Sequence, residues 1–148
     1  ARGPQFPAGV SLRGTSAAVR TDTGERYSVA FVSDDRELVN ITADFPRQGA
    51  KLTGRWKLDV RTADVRPFTL GQPLPEFFAV GEGAFDTDPR FESLHALGQL
   101  RCTADRLQVF RPELAALGEL GVAAEFDVAG HAGTFAVRKL ELAVSALE

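Results

Sequence analysis

The chain has 148 residues, 44% hydrophobic and 25% charged, the balance of an ordinary globular domain rather than of a disordered segment. Seventeen basic against twenty acidic side chains leave a net charge of −3, which argues against a general nucleic-acid binder. Apolar runs such as Phe77-Phe78-Ala79-Val80 reach only about four residues where a spanning helix needs about twenty, so no transmembrane segment is expected.

Taken in chain order, the sequence predicts strands. A first candidate lies at about 10–20 and is followed by the polar link Thr21-Asp22-Thr23-Gly24. Tyr27-Val29-Phe31 and Val39-Ile41-Ala43-Phe45 alternate with polar residues, and Ser33-Asp34-Asp35-Arg36 separates them. After Pro46-Arg47-Gln48-Gly49, strict period two runs through Leu52, Gly54, Trp56, Leu58 and Val60, with Thr53, Arg55, Lys57, Asp59 and Arg61 in the gaps. Thr62–Phe68 is limited by Pro67 to a short helical turn, and Gln72-Pro73-Leu74-Pro75 is a rigid connector.

A weaker strand follows at 77–86, then a clear one at Leu94-Ala96-Gly98-Leu100-Cys102-Ala104. Phe110–Gly118, with proline and an acid early and glycine as the stop, predicts one to two turns of helix. Leu120-Val122-Ala124-Phe126-Val128 is a further strand, Ala129–Gly133 a turn, and Phe135-Val137 then Leu140-Leu142-Val144 the last strand. The phase slips near Lys139, which predicts a bulge. The expected fold is therefore all-β: an antiparallel amphipathic sheet of about eight strands over 1–148, with one or two short helical turns.

A faint repeat lies within it. Leu52–Val60 leads to Arg66-Pro67, and Ala96–Ala104 leads to Arg111-Pro112, so the units are 52–68 and 96–112. Their glycines, 54 and 98, are 44 residues apart and their Arg-Pro pairs 45, a difference of one inserted residue.

Candidate chemistry is sparse. His95 falls on the polar face of a strand and His131 in a glycine-rich turn, and both read as solvated histidines. The single cysteine, Cys102, alternates in phase with Leu100 and Ala104 and reads as a buried hydrophobe. Asp86-Thr87-Asp88-Pro89 opens like a calcium loop but lacks the distal glutamate, so an aspartate-capped turn is the better reading. Gly81-Glu82-Gly83 reads as strand glycine that a neighbour or a ligand approaches closely. No metal, cofactor or catalytic constellation is expected, and the chain reads as non-catalytic.

Eight one-sided strands need cover for their dry faces, and about two helical turns cannot supply it. Either two sheets close on each other as a sandwich, or the sheet curls and leaves an apolar trough for something such as lipid acyl chains. The Leu52–Val60 strand, followed by Asp64-Val65-Arg66-Pro67-Phe68, resembles the repeating segment of AsmA-like envelope proteins, including their TamB relatives. Val80–Asp88 and His95–Leu107 look like later strands of the same kind, and the resemblance spans about 50–146.

That resemblance implies a periplasmic segment of a longer protein, held to a membrane by an N-terminal anchor outside this chain. It also implies a groove for phospholipid acyl chains, with further repeats or other envelope proteins as partners. The absence of methionine and the Ala-Arg-Gly-Pro opening fit a processed or excised chain. The residues expected to face lipid are Trp56, Leu58, Val60, Leu100, Val122, Phe126, Phe135 and Leu142. In the alternative, a closed sandwich serving as an interaction or carbohydrate-binding module, the same residues form a sealed core, and loops such as 33–36, 71–76 and 86–93 bind.

Overall fold

The computed structural model describes residues 12–47, 51–69 and 71–147. Eight strands run in chain order: β1 (Leu12–Arg20), β2 (Gly24–Ser33), β3 (Arg36–Pro46), β4 (Leu52–Arg61), β5 (Glu76–Thr87), β6 (Ser93–Asp105), β7 (Glu119–His131) and β8 (Thr134–Leu147). Each pairs antiparallel with the next, so the spatial order is the sequence order in a single eight-stranded sheet. β8 does not return to β1, and the sheet is open. The closed sandwich is thus not the architecture of this chain. The parts of the expected first strand before Leu12, and residues 48–50 of the β3–β4 link, lie outside the described residues.

Short links enforce this meander. The β2–β3 and β7–β8 hairpins each turn through two residues with positive φ, Asp34 (47°) with Asp35 (61°), and Ala132 (48°) with Gly133 (83°). Backbone of that hand matches the right-handed twist of paired strands. Between β5 and β6, Asp88 caps its own turn. Its carboxylate accepts hydrogen bonds from the Ser93 hydroxyl (2.6 Å) and from the backbone N–H groups of Ser93 (2.5 Å), Arg90 (2.8 Å) and Glu92 (3.3 Å). The Ser93 hydroxyl above all, with those N–H groups, outweighs desolvation and holds the carboxyl far below the usual carboxylate range. The aspartate-capped turn is what the chain builds there.

Two longer crossovers carry the only helical structure among the described residues. After β4 the chain forms a one-turn helix α1 (Thr62–Val65) and a 3-10 turn (Arg66–Phe68). After β6 it forms 3-10 turns at Leu107–Val109 and Pro112–Leu117, ended by Gly118 with φ of 62°. The Pro112–Leu117 segment thus supplies the short helical turns expected there, in 3-10 form. Both units of the repeat share one topology: a strand, a short helical crossover and a return strand.

Register slips occur at two places. Lys139 pairs with Asp127 but Val137 with Val128, so Arg138 is the extra residue of a bulge where the sequence phase breaks. A second slip sets Val39 against Phe31 but Glu37 against Val32, which inserts Leu38. Leu38 is only 7% exposed, and the sequence carries no signal for that slip because the apolar phase of β3 resumes at Val39.

Candidate functional site

Residues directly opposite each other in paired strands point to the same face, so the registers sort every side chain. One row runs Val29, Ile41, Trp56, Gly83, Gly98, Phe126, Leu140 from β2 to β8. The next runs Phe31, Val39, Leu58, Gly81, Leu100, Ala124, Leu142, and a third runs Val60, Ala79, Cys102, Val122, Val144. On the other side Phe135 continues a row through Gly130, Leu94 and Thr87 to Leu52. All eight residues singled out in the sequence therefore share one face. It is apolar from β2 to β8, and only the hydroxyl of Thr87 breaks these four rows.

Glycines shape the middle of that face. A Cβ on Gly83 would stand 2.6 Å from the Trp56 Nε1, and one on Gly98 would stand 2.5 Å from its Cζ2. The indole of β4 thus lies flat across the backbones of β5 and β6. It reaches Phe126 of β7 and stacks on it, with ring centroids 6.0 Å apart and planes 13° apart. The Gly81-Glu82-Gly83 reading holds, and the approaching neighbour is a tryptophan. Trp56 consequently takes part in packing across four strands while remaining half-exposed.

Toward β8 the cover falls away. Phe135 is 69% exposed and Val144 67%, with Leu142, Val137 and Leu140 close behind. Buried hydrophobic side chains among the described residues are few: Ala30, Leu38 and Leu52. Cys102 is half-buried on the apolar face, less sheltered than the sequence suggested, because no second layer covers it.

The opposite face is charged and cross-linked. Arg26 bonds Asp44 (2.6 Å), Lys139 bonds Glu125 (2.8 Å), and Lys51 bonds Asp86 (2.7 Å). His95 bridges two strands, with Nδ1 3.1 Å from Asp86 of β5 and Nε2 2.9 Å from Asp127 of β7. Its side chain is 29% exposed, so it is a half-buried bridging residue and not a solvated histidine. The Lys51 ammonium, and then His95, outweigh desolvation and hold the Asp86 carboxyl below its ordinary range. His131 lies exposed at the end of β7.

Shallow depressions open mainly among charged-face residues. One of about 380 Å³ is lined by Leu38, Asn40, Lys57, Val80 and Glu82 among others. Another, of about 720 Å³, lies by Arg55, Gln99, Glu125 and Lys139. That second depression also takes in Trp56, Gly83, Gly98 and Phe126 of the apolar rows.

Among the described residues, no group of three or more His, Cys, Asp or Glu is placed to hold a metal ion. No helix among them is long and apolar enough to cross a membrane. The fold and site together define an open, single-layer antiparallel sheet with one apolar and one ion-paired face. Comparison with protein-family models, curated proteins and solved structures gave no match.

Proposed function

We propose that this chain is a non-catalytic lipid-binding segment whose apolar sheet face shelters acyl chains while head groups stay in water. The observation that carries the reading is the face itself: apolar side chains in register from β2 to β8, with no second layer over them among the described residues. Exposed apolar surface of this extent costs free energy in water, and acyl chains remove it without requiring directional contacts. The AsmA-like resemblance supports the same reading. It extends the proposal to a periplasmic part of an envelope protein, anchored from outside this chain and acting in phospholipid transport or outer-membrane biogenesis.

The test compares adjacent residues of β6. Leu100 belongs to the apolar face and Arg101 to the charged one, opposite Val80 and Ala123. In an open sheet the arginine of Leu100→Arg reaches water, so the melting temperature should change little while co-purified lipid, measured by mass spectrometry, falls several-fold. Arg101→Ala should leave both unchanged. Absence of lipid on the parent protein, or equal lipid on both variants, would end the lipid reading.

A further inference from the structure

The outer edge of β8 has no strand beside it among the described residues. Natural sheets guard such edges with charges, proline, bulges or brevity. β8 is 14 residues long, and beyond the bulge its segment Leu140–Leu147 carries Glu141 as its only charge and no proline. The other edge, β1, is 9 residues long and has Arg13 and Arg20 near its ends. The two edges are therefore unequal, and β8 is the unguarded one.

We propose that two copies of this chain pair through β8, antiparallel about a two-fold axis perpendicular to the sheet and centred on Leu142. A two-fold axis of that orientation maps each face onto itself, so the two apolar faces join side by side. Alternation then sets residue i against residue 284 − i of the second copy. Leu142 meets Leu142, Leu140 meets Val144, Lys139 meets Ser145, and Glu141 meets Ala143. Neighbouring registers are worse or no better. Centring on Glu141 sets like charges against each other, and centring on Leu140 brings the bulged Arg138 against Leu142. Centring on Ala143 leaves Lys139 opposite Leu147.

The pairing satisfies the free backbone groups of the edge and gives the exposed Leu140, Leu142 and Val144 cross-strand apolar neighbours. It stands apart from the lipid reading, since a monomer that still carries lipid removes only the dimer.

Sedimentation velocity over a concentration series should show a species of twice 15.9 kDa. Ala143→Glu places two like-charged pairs across the axis without touching the monomer's apolar face, and should weaken the dimer about tenfold. Adding Glu141→Lys should restore it. In a Cys102→Ser background, Leu142→Cys should form an intersubunit disulfide under mild oxidation, because opposite residues of paired strands lie within disulfide reach. Val60→Cys, on β4 and four strands away from that edge, should not. A monomer at every concentration, a larger head-to-tail species, no effect of Ala143→Glu, or equal cross-linking from both cysteines would overturn the proposal.

Discussion

After β4 the chain crosses to β5 through residues 62–75, and after β6 it crosses to β7 through 106–118; the two have the same outline, a strand, short helical turns and a return strand, yet they are held very differently. In the first, Thr62 is 1% exposed; its hydroxyl donates to the Pro75 carbonyl at 3.0 Å and accepts from the Phe77 N–H at 2.5 Å. Asp64 accepts from the Arg61 N–H at 2.7 Å and pairs with Arg36 of β3, which also bonds Asp59 at 2.6 Å. In the second crossover no residue is buried, Phe110 is 63% exposed, and Arg106 takes a left-handed φ of 58°. Local sequence sets a short helical turn in both places. Polar anchoring to β3 and β5 is what makes the first a fixed part of the sheet end.

The strands of the two units agree more closely than the crossovers, and for one reason. Each repeat glycine seats an aromatic ring of another strand: Phe85 lies over Gly54, and Trp56 over Gly98. The largest expected effect tests this equivalence. A side chain at Gly98 would meet Trp56 at 2.5 Å and the Glu82 carbonyl at 2.8 Å, and backbone cannot yield as a flexible side chain does. Gly98→Val should cost about 3 kcal/mol by denaturant titration and shift the emission of the single tryptophan to the red. Gly54→Val should cost a similar amount with far less change in emission, since its clash is with Phe85 and the Thr42 carbonyl at 2.6 Å. A silent Gly98→Val would mean that Trp56 does not lie over β6.

A smaller effect belongs to the anchor of the first crossover. Burial opposes ionisation of Asp64, but the Arg36 guanidinium and the Arg61 N–H outweigh it, so the carboxyl sits below its ordinary value. A carboxyl with a lowered folded-state pKa contributes stability above its unfolded value, near 4, and loses it as pH falls through the folded one. Asp64→Asn should therefore lower stability by about 1–3 kcal/mol at pH 7, with the gap to the parent closing in acid. A gap independent of pH would show that the Arg36–Asp64 pair is not the anchor.

Most of the architecture was legible because period two is a backbone property that needs no partner to be read. The strands around Trp56, Leu100 and Phe126, the short links and the bulge beside Lys139 all follow from it. The shared face of Trp56, Leu58, Val60, Leu100, Val122, Phe126, Phe135 and Leu142 was legible for the same reason. What alternation could not reveal is anything that depends on which strand lies beside which. That includes the Trp56 ring over Gly83 and Gly98, the His95 bridge to Asp86 and Asp127, and the Arg36–Asp64 tie across 28 residues of sequence. Openness of the sheet is of this kind too, since a strand with one dry face reads identically in a sandwich and in a single layer.

The second crossover supplies the smallest expected effect and the sharpest contrast. Phe110 stands exposed after the Leu107–Val109 turn, with its N–H donating to the Leu107 carbonyl at 3.0 Å, a backbone bond that any side chain preserves. Phe110→Ser should thus change stability by no more than about 0.5 kcal/mol, while removing an exposed aromatic from the same end of the sheet as the anchored crossover. Amide exchange should tell the two apart as well. The Phe77 N–H, held by the buried Thr62, should exchange slowly, and the N–H groups of Val109, Phe110 and Leu114, bonded only within exposed 3-10 turns, should exchange faster. A cost for Phe110→Ser matching that of Asp64→Asn would mean that the second crossover is packed against something, and the two crossovers are then held alike.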